Sequence, residues 1–178
     1  MHALLQARLL IAQRRYDLAQ RELGDCLAAD PTSAEALGLL AFVLTEQDQV
    51  VAGVRTAREA VACEPQSASL HAILGHALRA AGTLAEAEAA FRDAVRLEPR
   101  SPSHRAELSD VLHRRDCLSE ALVQADEGLS LDPQHVYCLL ARGVALRELG
   151  DAAAAREAFA LALRLAPEDP HVRLQLGQ

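Results

Sequence analysis

Aromatic residues are scarce in this chain. They make up 3% of its 178 residues, with no Trp, two Tyr and three Phe. Since 51% of residues are nonetheless hydrophobic, any core must be built mainly from Ala, Leu and Val, which favours helices and disfavours a sheet. Basic runs are missing too. The formal net charge is −7, and Arg14-Arg15 and Arg114-Arg115 are isolated pairs, so no positive stripe interleaved with aromatics exists to hold nucleic acid. No apolar run approaches the roughly 20 residues of a membrane span. The stretch Ala3 to Ala12 is interrupted by Gln6 and Arg8 and lacks a basic leader and a small-residue cleavage site. The expected location is cytoplasmic, with no nucleic acid and no membrane as partner of this segment.

The usual signatures of chemistry are also absent. There is no Gly-rich phosphate loop, no GxSxG elbow and no HExxH pair. Four cysteines, Cys26, Cys63, Cys117 and Cys138, show no CxxC spacing, which argues against zinc; reduced thiols fit the cytoplasm. The densest polar cluster is His104, Glu107, Asp110, His113 and Arg114. At roughly 100° per helical residue, His104 and His113 fall on nearly opposite sides and cannot share an ion. Asp110 and Arg114 form an i,i+4 pair worth a few tenths of a kcal/mol. The expectation is a chain with no catalytic residue, no metal and no cofactor.

What the chain does have is a ruler. Pro31, Pro65, Pro99, Pro133 and Pro167 recur every 34 residues, and the two other prolines, Pro102 and Pro170, each stand three residues past a ruler proline. Other columns keep the same step. Twenty-one residues before each proline stand Leu10, Leu44, Leu78, Leu112 and Leu146; four before stand Leu27, Val61, Val95, Leu129 and Leu163. Small residues fill three more columns: Cys26, Ala60, Ala94, Gly128 and Ala162; Ala19, Gly53, Ala87, Ala121 and Ala155; Ala7, Ala41, Gly75, Ser109 and Gly143. Small residues at fixed places let two helix axes approach while the larger aliphatics fill the space between. Cys26 occupies one such column and Cys63 stands where Leu97, Leu131 and Leu165 stand two before a proline, and both read as core hydrophobes.

These columns resemble the tetratricopeptide repeat, whose pattern has a Leu-Gly pair and a Tyr in a first helix, then Ala, Phe and Pro in a second. The third unit matches best, with Leu74-Gly75, Leu78, Ala87, Phe91, Ala94 and Pro99, followed by the fifth, with Gly143, Leu146, Ala155, Phe159, Ala162 and Pro167. Trp is absent and Leu replaces the pattern's Tyr in every unit. The resemblance implies an all-α fold, a right-handed α-solenoid of stacked antiparallel helix pairs. It spans the chain as a single solenoid with units at about 1–33, 34–67, 68–101, 102–135 and 136–169, and a partial sixth unit at 170–178. In that last unit Leu176-Gly177 falls on the columns of Leu74-Gly75, so the expectation is a piece of a longer protein.

The ruler predicts about ten full helices of roughly 12 to 14 residues, or roughly 20 Å each. Ser33, Ser67, Ser101 and Asp169 stand where the first helix of a unit would be capped. Turns within units are expected near Arg15-Tyr16-Asp17, Gln47-Asp48-Gln49, Gly82-Thr83, Asp116-Cys117 and Gly150-Asp151.

Function follows from the resemblance, which implies holding a protein or peptide segment in a concave groove lined by first helices. Groove positions are expected at Leu4, Arg8 and Ile11, then Glu35, Gly38, Phe42 and Thr45, then Ser69, Ala72, His76 and Arg79. Further units add Ala106, Asp110 and His113, then Tyr137, Leu140, Val144 and Arg147. Phe42 stands out as an apolar anchor, against the reading that it packs on the neighbouring first helix. Some members of the family clamp the carboxyl-terminal tail of chaperones with Lys and Asn at these positions. Here Leu4, Arg8, Gly38, Phe42, Ala72 and His76 stand there instead, which points to an extended or helical partner with apolar anchors and few charges. The expected protein is a non-catalytic interaction scaffold, favoured as a monomer. The alternatives are the partner-positioning region of a larger enzyme or membrane protein, and a self-assembling scaffold.

Overall fold

A computed structural model describes residues 2–176 of the chain. Among them are eleven helices: α1 (His2–Ala12), α2 (Tyr16–Ala29), α3 (Ala34–Glu46), α4 (Val50–Cys63), α5 (Ala68–Ala80), α6 (Leu84–Leu97), α7 (Pro102–Arg114), α8 (Leu118–Leu131), α9 (Val136–Glu148), α10 (Ala152–Leu165) and α11 (Pro170–Leu176). They form two compact units, Met1–Leu97 with α1 to α6 and Glu98–Gln178 with α7 to α11. Within each unit, every odd-numbered helix up to α9 packs antiparallel on the next. Gly177, expected on the Gly75 column, lies outside the described residues. No described helix is long and apolar enough to cross a membrane.

Two backbone devices, each repeated five times, generate this architecture. The first closes each pair. In the Schellman motif, which stops a helix by placing one residue in the left-handed region, the amides of Arg15, Gln49, Thr83, Cys117 and Asp151 donate to the carbonyls of Leu10, Leu44, Leu78, Leu112 and Leu146 at 2.8–3.0 Å. The left-handed residue is Arg14, Asp48, Gly82, Asp116 or Gly150, with φ between 56 and 92°. Thus the unbroken Leu column ends the first helix as well as filling the core. The turn expected near Arg15-Tyr16-Asp17 lies one to two residues earlier, since Tyr16 and Asp17 already belong to α2. The ruler positions it correctly, whereas the local turn residues do not.

The second device joins pairs and explains the prolines. The amides of Ser33, Ser67, Ser101, His135 and Asp169 donate to the carbonyls of Asp30, Glu64, Glu98, Asp132 and Ala166 at 3.1–3.2 Å. Each ruler proline therefore stands second in a four-residue turn, where its fixed φ is already correct. The next helix starts at once. The Oγ of Ser33 accepts from the Ala36 amide, that of Ser101 from His104, and Asp169 Oδ1 from His171 and Val172. Ser67 does not cap α5; its Oγ lies 3.0 Å from Ser69 Oγ. His135 does the unexpected capping, with Nδ1 accepting from the Cys138 amide at 3.3 Å.

Each unit has its own core. In the first, Ala7, Leu10, Ala19, Leu23, Ala36 and Val43 form one cluster, and in the second Leu139, Leu140, Leu146, Phe159 and Val172 belong to another. The unbroken Leu column is 0–8% exposed throughout, and burying each such side chain stabilises by about 1.5–3 kcal/mol. Ser109, in a column of small residues, donates its hydroxyl to the Ala121 carbonyl of α8 at 2.7 Å, so its polar atom is satisfied inside the core.

Candidate functional site

The two backbone devices fix the rotational phase of the first helices, so within each unit positions 34 apart face the same way. Four helical residues turn about 400°, so a row at i, i+4 drifts by about 40° per step. One expected groove column is therefore turned inward. Gly38, Ala72, Ala106 and Leu140 are buried, and Leu140 is a core residue 7% exposed, clustered with Leu139 and Phe159. Thr45 is also buried, its hydroxyl donating to the Ala41 carbonyl at 2.8 Å.

The next column stays accessible in every unit. It reads Arg8, Phe42, His76, Asp110 and Val144, each exposed or half-buried. Beside it stand Glu35, Ser69 and Tyr137, all exposed, and Arg79, His113 and Arg147, all half-buried.

In the first unit these side chains hold one another. The Arg8 guanidinium donates to Glu35 Oε1 at 2.8 and 3.2 Å. The half-buried Phe42 ring tilts against His76, one repeat along, with centroids 5.7 Å apart. His76 Nε2 lies 3.8 Å from Glu46 Oε1, while Glu46 Oε2 accepts from the Tyr16 hydroxyl at 3.2 Å. Burial first, and then the Glu46 carboxylate, push the Tyr16 phenol above its ordinary value. Arg79 lies over the Phe91 ring, 5.9 Å from its centroid, a cation–π contact. Thus Phe42 does pack on the neighbouring first helix while keeping part of its ring accessible.

The second unit repeats the pattern with other residues. Arg147 lies 5.7 Å from the Phe159 centroid, as Arg79 lies over Phe91. Tyr137 is 50% exposed; its hydroxyl donates to Asp169 Oδ2 at 3.1 Å, and its ring meets His135 and His171 at 6.2 and 6.4 Å. Burial would raise the Asp169 carboxyl, but the amides of His171 and Val172 and the Tyr137 hydroxyl outweigh it and hold the group below its ordinary value. Asp110 accepts from Arg114 at 3.0 Å, the expected i,i+4 pair.

Glu46 and His171 complete these networks without having been singled out in the sequence, and Tyr16 and Asp169, expected only at a turn and a helix cap, join them. Tyr137 and His171 could have been paired by their 34-residue spacing, as could Phe42 and His76. Tyr16 and Glu46 come from a second and a first helix and carry no periodic signal. A separate apolar groove of about 550 Å³ runs along α4 in the first unit, lined by Val51, Val54 and Ala62 on that helix and by Leu78 and Ala81. At its rim Arg58 pairs with Glu86 at 2.6 Å. Nothing in the sequence reading pointed to it. Among the described residues no group of three or more His, Cys, Asp or Glu is arranged to hold a metal ion.

Models of the tetratricopeptide repeat match residues 10–77, 73–128 and 114–170. No curated protein matches. Among solved structures, a thermophilic TPR protein of Thermus thermophilus, TTC0263, is 23% identical over 99% of this chain and 96% of its own, with a TM-score of 0.84. YrrB, described as a TPR protein with an unusual peptide-binding site, is 19% identical over 99% of this chain and 91% of its own, at 0.71. MamA of Desulfovibrio magneticus RS-1 is 15% identical over 92% of this chain and 93% of its own, at 0.76. At these identities the likeness shows the fold, an all-α solenoid of stacked helix pairs.

Proposed function

Because the chain belongs to the tetratricopeptide repeat family, whose members are generally protein-interaction scaffolds, we propose that it is a non-catalytic, cytoplasmic adaptor. Its first-helix faces bind a segment of another polypeptide. One observation carries this reading. The column Arg8, Phe42, His76, Asp110 and Val144 holds five different side chains, all accessible, whereas the Leu column two residues further along each helix never changes and stays buried. Stacking fixes the inner column, so chemistry that differs at every accessible step is available for recognition.

The partner is an extended or helical segment with apolar anchors and few charges. Phe42 offers a half-buried ring and Tyr137 an exposed one, and polar groups beside them are already paired within the chain, so binding costs little reordering of these side chains. A Lys and Asn clamp for a terminal carboxylate has no residues to draw on, since the sequence contains neither Lys nor Asn. The test is a pull-down comparing the native chain with Phe42→Ala/His76→Ala, both checked for equal helicity. Loss of a specific partner from the variant is expected; an unchanged partner set would move recognition off this face.

A further inference from the structure

In one column of the repeat, four first helices turn an apolar side chain inward. Ala36, Leu70, Cys138 and Val172 are 0–4% exposed there. The fourth unit has His104 instead, and its side chain is also mostly buried, at 13% exposure. Three residues along, Leu39, Ile73 and Ala141 of the second, third and fifth repeats correspond to Glu107 in the fourth. Relative to the second, third and fifth repeats, two apolar positions are exchanged for an acid and a base on the same helix, α7. The pair touches: His104 Nδ1 is 3.8 Å from Glu107 Oε2, an ion-pair distance, and both atoms are buried with no hydrogen-bond partner. On its other side His104 Nε2 is 3.4 Å from Glu98 Oε2. One imidazole is therefore bracketed by two carboxylates.

From the buried placement and double bracketing we infer that His104, Glu98 and Glu107 form a proton-operated clasp that fastens α7 more tightly when the imidazole is charged. A neutral imidazole carries one ring proton and faces two carboxylates, one of which has a buried oxygen, Glu107 Oε2, with no hydrogen-bond partner. A charged one donates to both sides at once. Two neighbouring ionisable groups, Arg105 of α7 and His135 before α9, are engaged elsewhere. Arg105, next to His104, pairs with Glu127 of α8 and donates to Gln124 and the Pro99 carbonyl. From α9, His135 lies 3.2 Å from Ser103 Oγ, and burial holds it below its ordinary value. The Glu107 carboxylate, opposed by burial and assisted by Glu98, raises His104 above 6.5. The sign follows: a histidine raised on folding adds stability that is full below its unfolded midpoint and is lost as pH rises through the folded one.

The experiment uses the whole described chain. The His104 imidazole is titrated by NMR, and amide exchange of α7 is followed from pH 5.5 to 8.5, corrected for intrinsic rates. Protection of α7 should fall across the His104 transition by a factor equal to ten raised to the displacement of its midpoint from that of the unfolded chain. His104→Val, which installs the side chain found at position 172 of the same column, should remove this dependence while leaving α7 helical. Glu107→Gln should lower the midpoint. An ordinary or lowered midpoint, or the same loss of protection in His104→Val, would overturn the clasp.

Discussion

Gly75 and Gly143 show how a repeat makes room for a large ring. A Cβ added to Gly75 would lie 2.8 Å from the Phe91 ring, closer than packing allows. Where the first-helix residue is Ala7, the facing side chain is Leu23, and where it is Ala41 or Ser109 it is Ala57 or Ala125; all of these are buried. The two columns trade volume within each pair. Gly75→Ala should therefore cost about 1–3 kcal/mol by overpacking, and Phe91→Leu added to it should recover part of that loss, read as a non-additive double-mutant cycle in urea. Arg14 is the opposite case. It takes φ 56° where two other units use Gly, so Arg14→Gly should raise stability by about 0.5–1 kcal/mol. An unchanged or lowered denaturation midpoint would contradict that. The columns themselves were legible in the sequence, because packing repeats; the left-handed role of Arg14 was not, because neither Arg nor its neighbours announce it.

At the scale of the element, ends are decided by single side chains. Ser101 and Ser67 stand at equivalent positions, yet Ser101 Oγ accepts from the His104 amide and Ser67 Oγ does not cap α5. Ser101→Ala should cost about 1 kcal/mol and Ser67→Ala under about 0.5 kcal/mol, compared by thermal unfolding. Equal losses would mean that the position, not the bond, sets the cost. Sequence pattern marked both serines alike, since a rotamer choice leaves no trace in it. His135 illustrates the reverse: its ring nitrogen caps α9, a role that residue-type preference alone would not assign. The ten full helices were nevertheless readable, because the Pro turns and the Schellman stops punctuate at a constant step.

For the molecule as a whole, what the sequence carried was the division of labour between inner and outer columns. It placed Arg8, Phe42, His76, Asp110 and Val144 in one column, and that column is accessible. It misjudged Leu140, because an i,i+4 row drifts around the helix and an aliphatic residue gives no sign of which side of the drift it occupies. Nor could it show that Arg79 and Arg147 lie on Phe91 and Phe159, contacts that hold these cations on the face. On the proposed reading the accessible first-helix column, not the second-helix surface with its α4 groove, recognises the partner. The direct test places a photo-crosslinking amino acid singly at positions 42, 76 and 144, and as controls at exposed Val51 and Val123 of the second helices. The first set should trap one common partner and the controls none; a partner trapped from Val51 or Val123 but not from positions 42, 76 and 144 would contradict the account.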